Sequence, residues 1–106
     1  MPALNQRDAI HYIATGREFT ASALSGNSVK EYTPNAGRLD REEYAKLIEA
    51  TSRPEWVYVV YSYGTPIAWH TDARGWYVVA QKFSVTTSKH QNLVRRAVAD
   101  SLAGAL

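Results

Sequence analysis

The sequence predicts a single α+β domain in which a small antiparallel sheet packs against helices. Three observations carry this. Residues 56–63 are β-branched or aromatic almost throughout, as in a central strand. Asp40-Arg41-Glu42-Glu43 and Ser88-Lys89-His90-Gln91 both have capping-box spacing ahead of an apolar helical stripe. The 106 residues suffice for one core but not for two, so 1–106 is read as one domain.

The elements follow in order. Asn5 is a good N-cap, Asp8 suits a first helical turn, and Thr15-Gly16 is a stop. Glu18 to Ala23 alternates polar and apolar, as a half-buried strand does. Ser25-Gly26-Asn27 signals a turn, so Val29–Thr33 is expected to return as a second strand. Pro34 to Gly37 reads as loop, and residues 1–38 as an N-terminal extension of a motif-bearing core at about 56–103.

Asp40 then caps a helix over 40–52, with Glu43 as its box partner and Leu39 stapled on Tyr44. Tyr44, Leu47, Ile48 and Thr51 share its apolar face, and Pro54 halts it near Arg53. A meander is expected over 56–63, 66–70 and 76–83, turning at Gly64-Thr65-Pro66 and at Asp72 to Gly75. A last helix over 88–103 buries Val94, Ala97, Val98 and Leu102, and Gly104 follows it.

Composition narrows the function classes. An apolar content of 45% and a charged content of 21% are those of an ordinary globular domain. No apolar run approaches the roughly 20 residues of a membrane span, and a secretory leader pattern is missing at the N-terminus. No membrane partner is therefore expected. With no cysteine there is no disulfide and no thiol catalysis. Charge is asymmetric: residues 1–73 carry seven Lys/Arg against nine Asp/Glu, and residues 74–106 carry five against one. A basic C-terminal third suits an anion or an acidic surface, or is simply a solvated helix face.

Candidate sites lie in two segments, Tyr61 to Trp69 and Phe83 to Gln91. Thr86, Thr87, Ser88, Lys89 and His90 form an anion-binding candidate, because free amides and hydroxyls gather at a helix start where two basic side chains are otherwise misplaced. Plain capping by Ser88 or Thr87 is the competing reading. Lys89, Asn92, Arg95 and Arg96 form a nucleic-acid-binding candidate on the outer face of the same helix. Trp56, Tyr58, Tyr63, Trp69 and Trp76 are partner-contact candidates from an aromatic set of three Trp, seven Tyr and two Phe, weighed against a role in the core. Catalytic templates fail. His11, His70 and His90 are scattered, no serine sits in a nucleophile elbow, and no metal motif or cofactor signature is present. Thr65, Ser84 and His90 can still converge at one sheet edge.

Ser62-Tyr63-Gly64-Thr65-Pro66-Ile67-Ala68 and Phe83-Ser84-Val85-Thr86-Thr87-Ser88-Lys89-His90-Gln91 resemble the SYxTPIA and YSVTTSKHQ segments of a family of small bacteriophage and mobile-element proteins of unknown function. Phe83 stands where tyrosine is usual, and the resemblance covers about residues 57–93. It implies a phage-encoded protein, from an actinobacteriophage, acting in the host bacterial cytoplasm. The leading expectation is then a non-enzymatic accessory protein that binds a host macromolecule, with a host protein favoured. The alternatives are nucleic-acid binding through helix 88–103, and an anion or phosphate-ligand binder or small enzyme at Thr86–His90. Self-association into a homo-oligomer stays open.

Overall fold

The computed structural model describes residues 5–30, 32–52 and 55–104. Within them the chain runs α1 (Gln6–Ala14), β1 (Phe19–Ala21), β2 (Leu24–Lys30), α2 (Arg41–Ala50), β3 (Trp56–Ser62), β4 (Thr65–Thr71), β5 (Gly75–Val78) and α3 (Val85–Gly104). The five strands form one open sheet in sequence order, with every neighbouring pair antiparallel. The fold is α+β. The meander of β3, β4 and β5 is extended by an N-terminal hairpin.

Alternation along β3 sends Tyr58 and Val60 to one face and Val57 and Val59 to the other. On the first face they meet Phe19, Leu24 and Ala68, together with Ala9 and Ile13 of α1 and Val94 and Ala97 of α3. On the second, Tyr32, Trp69 and Val79 pack with Leu47 of α2. Both sheet faces are therefore covered, and most of the aromatic set is core. Burying these side chains at about 25 cal/mol per Å2 is the main stabilising term.

Several boundaries differ from expectation for physical reasons. The first hairpin turns at Ser22-Ala23, and Ser25-Gly26-Asn27 lies inside β2. Gly26 is there for space, because a Cβ would strike the Tyr58 hydroxyl and stand 2.6 Å from Phe19 Cε1. The β3–β4 turn is Tyr63-Gly64, one residue early, with φ of 51° and 78°. Two positive φ values suit the tight primed turn that a twisted hairpin needs. Pro66 lies inside β4, where a bulge at Ile67 shifts the register between Val60 and Tyr61. An inner-strand proline has no N–H for the ladder, and a bulge accommodates it. The third meander strand ends at Val78 rather than 83.

On α2, Asp40 accepts from the Glu43 amide at 2.9 Å. The second half of the box is absent. Glu43 is buried and accepts from the Tyr77 hydroxyl at 2.8 Å, while the Asp40 amide donates to Gln81 Oε1 at 2.7 Å. Leu47 and Thr51 are buried as expected, but Ile48 is exposed. The stop expected at Arg53 and Pro54 lies outside the described residues, and the description of Leu102 covers its backbone alone.

Candidate functional site

The two informative segments meet at one end of the sheet. Ser84, not Ser88, begins α3: its Oγ accepts from the Thr87 amide at 3.2 Å and its carbonyl from the Ser88 amide at 2.9 Å. Both are N-cap interactions. The helix thus starts three residues earlier than the sequence suggested, and Lys89 and His90 belong to its second turn. The electrostatic conflict that motivated the anion pocket weakens accordingly, since the dipole effect is concentrated in the first turn.

Ser62, the last residue of β3, faces this helix. Its Oγ lies 2.6 Å from His90 Nδ1 and 3.2 Å from Thr87 Oγ1, and the Ser84 hydroxyl donates to Thr87 Oγ1 at 3.3 Å. Ser62, Thr87 and His90 are all buried. Burial pushes the His90 imidazole below its ordinary range, so it is neutral near pH 7. The result is a chain of three hydroxyls and one imidazole, dry at Ser62, Thr87 and His90 and open to solvent at Ser84, that fastens the β3–β4 hairpin to α3. Each link is of the order of 1 kcal/mol net, but breaking one leaves buried polar groups exposed to a larger penalty. Ser62 is 1% exposed, so no substrate carbonyl reaches its hydroxyl.

Tyr63 caps this clasp. Its ring stacks on His90 at 6.2 Å between centroids, yet the residue is 60% exposed. It also holds a left-handed conformation, φ 51°, where a bulky L-residue costs about 1–2 kcal/mol relative to glycine. The Tyr63 amide donates to Ala23 O at 2.9 Å, drawing in the first hairpin turn. The Arg38 amide donates to Thr65 Oγ1 at 3.0 Å, drawing in the loop before α2. Val85, at the start of α3 and 75% exposed, adds a second uncovered apolar side chain at this end.

Of Thr65, Ser84 and His90, expected to converge, Ser84 reaches His90 through Thr87 and Ser62, while it is Tyr63 whose ring touches His90. Thr65 instead binds the loop at Arg38. Among the anion candidates, Thr86 and Lys89 are exposed, Ser88 is half-buried, and Thr87 and His90 are buried in the clasp. Lys89, Asn92, Arg95 and Arg96 are all exposed on α3, and Arg95 Nη1 donates to Asn92 Oδ1 at 3.0 Å. Neither ion pair found among the described residues involves them.

The aromatic candidates divide. Trp56 is exposed at the far end of β3, and Trp76 is half-buried with its ring edge-on to Tyr58 at 5.8 Å. Tyr58 and Trp69 are core residues, at 6% and 2% exposure, and burial removes them from any contact surface. Sequence reasoning missed Ser62. Its signal was its place at the head of the Ser62–Ala68 segment, which did not reveal a role, because its partner His90 is remote along the chain.

An open five-stranded antiparallel sheet with helices on both faces, closed at one end by a polar clasp, defines a small α+β domain. The chain belongs to a family of unknown function, DUF8033, whose model matches residues 11–101. That match takes in the N-terminal hairpin as well as the two motif segments. No curated protein and no solved structure matches the chain. Among the described residues no helix is long and apolar enough to cross a membrane.

Proposed function

We propose that this chain is a non-enzymatic bacteriophage accessory protein that binds a host protein through the Tyr63 end of the sheet. Tyr63 is the observation that carries the reading. A large exposed ring sits at a left-handed position that asparagine or glycine would occupy with less strain. Its exposed area gains little from folding, whereas aromatic side chains on rigid supports are frequent anchors of protein interfaces. The stacked His90 and the clasp beneath it supply that support. Phage origin, and action in the host bacterial cytoplasm, rest on the resemblance of residues 62–68 and 83–91. The test is affinity capture from an actinobacterial host lysate with wild-type and Tyr63→Ala baits. The expected outcome is a host protein enriched on wild type and lost from the variant. Identical captures on both baits sink the proposal.

A second reading is favoured by Lys89, Asn92, Arg95 and Arg96, which present cationic and amide groups on one exposed helix face outside the observed ion pairs. Nucleic-acid binding by this face predicts mobility shifts at low salt that vanish as salt rises. Unchanged migration at low salt eliminates it.

A further inference from the structure

At the opposite end of the sheet, α2 is held off the strands by large rings. Trp69 of β4 and Tyr77 of β5 are register partners whose ring centroids lie 5.1 Å apart. The helix passes over them and leaves a cleft of about 270 Å3, with Lys46, Glu49 and Ala50 on one wall and Arg74 at its mouth. That volume is just under the ~300 Å3 at which small-molecule sites begin, the size of one bicyclic ring with a substituent.

The two cations have different surroundings. Lys46 Nζ lies 5.2 Å from the Tyr77 ring centroid, donates to the Tyr77 hydroxyl at 3.0 Å and to Glu43 Oε1 at 3.3 Å. Its side chain is 52% exposed, and these three contacts engage its ammonium. Arg74 Nη2 donates to Glu49 Oε1 at 2.9 Å, but this pair is solvated, with side chains 57% and 66% exposed. Such a pair contributes little to stability, so its arginine is open to exchange. A second cavity of about 260 Å3 shares Glu49, Ala50 and Arg74 in its lining.

We infer that this cleft binds a flat aromatic ring bearing one anionic group, the ring against the half-buried Tyr77 and the anion on the Arg74 guanidinium in place of Glu49. Arginine suits this role because its planar fork grips a carboxylate or a phosphate through two parallel bonds. Lys46 lies on the same wall with its charge paired to Glu43, which leaves Arg74 as the anion's main partner. The site is separate from the Tyr63 end and independent of any partner bound there.

The experiment is an amide-resolved NMR titration of the full chain. Indole-3-acetate probes a carboxylate source and adenosine monophosphate a nucleotide source, with indole and inorganic phosphate as controls. Saturable shifts at Lys46, Glu49, Arg74 and Tyr77 with at least one anionic ring are expected, together with controls at least about tenfold weaker. Arg74→Ala should weaken that probe about tenfold, as loss of a charge-assisted contact does, and Arg74→Lys by less. Arg74 lies in an exposed turn, so the rest of the spectrum verifies that the variant is folded. Absence of saturable shifts with both anionic rings overturns the inference. So does binding that Arg74→Ala leaves unchanged.

Discussion

Gly26→Ala tests the tightest point of the sheet. Gly26 lies within β2, paired with Phe19 on one side and Val60 on the other. An added Cβ overlaps the Tyr58 hydroxyl and comes within 2.6 Å of Phe19 Cε1 and 2.9 Å of Tyr58 Cζ. Neither ring has room to retreat. Phe19 is fully buried, and the Tyr58 hydroxyl donates to the Arg17 carbonyl at 2.7 Å. Overpacking of this kind costs about 1–3 kcal/mol, and loss of the Arg17 bond adds about 1 kcal/mol. Replacing glycine returns about 0.5–1 kcal/mol through the unfolded chain. The net expectation is a loss of about 1–3.5 kcal/mol, a fall in Tm of roughly 5–15 °C for a domain of this size. Urea and thermal denaturation followed by circular dichroism measure it. A Tyr58→Phe background removes the overlapping atom, so the same substitution there should cost about 1 kcal/mol less. An unchanged or raised midpoint for Gly26→Ala refutes the argument, and an equal loss in both backgrounds refutes the assignment to the hydroxyl.

Tyr63→Asn relieves about 1 kcal/mol of left-handed strain and gives up about 0.5–1.5 kcal/mol of ring stacking, so urea midpoints should move by less than about 1 kcal/mol. Partner binding should fall by about 2 kcal/mol or more, and a variant that binds normally refutes the anchor. Ser62→Ala removes one end of the 2.6 Å bond to His90 and should destabilise by about 1–3 kcal/mol in the same assay; a neutral result contradicts a dry clasp. Because burial lowers the folded-state pKa of His90, the unfolded chain takes up its proton first as pH falls. This contribution is therefore intact above about pH 6.5 and is lost below it, by at most about 1.4 kcal/mol per pH unit, until the folded-state pKa is passed. Denaturation midpoints between pH 7.5 and 5 should show that slope, and His90→Gln should flatten it. A slope unchanged by the substitution shows that other groups are responsible.

What the sequence made legible was local chemistry. Asn5 and Asp40 cap their helices because short polar acceptors satisfy nearby amides whatever the tertiary context. β3 was readable because its β-branched and aromatic residues suit both covered faces. The errors arose where space or a distant partner decided. Gly26 imitates a turn signal, but its missing side chain makes room for Tyr58. Glu43 has box spacing, yet the Tyr77 hydroxyl, brought in by β5, captures its carboxylate. Ser84 and Ser88 are both plausible caps, and the packing of His90 against Ser62 fits a start at Ser84. The clasp itself was hidden for the same reason. Its members come from the end of β3 and the first two turns of α3, and only the folded sheet brings them together.

The sequential strand order also shapes how the chain assembles. β1 and β2 are joined by two residues, as are β3 and β4, and β5 follows after a short turn. Only the β2–β3 seam joins strands far apart in the chain, across the whole connection from Lys30 to Trp56 that carries α2. Closing that loop is the main entropic step, so two locally formed halves are predicted to zip together along the seam in the rate-limiting event. φ-value measurement would test this: high values in the β3–β4 turn with low values along Leu24–Lys30 support it, and the reverse pattern excludes it. Gly26 sits in the middle of that seam. The crowding that makes it indispensable to the finished fold would then be met late, after both halves already exist.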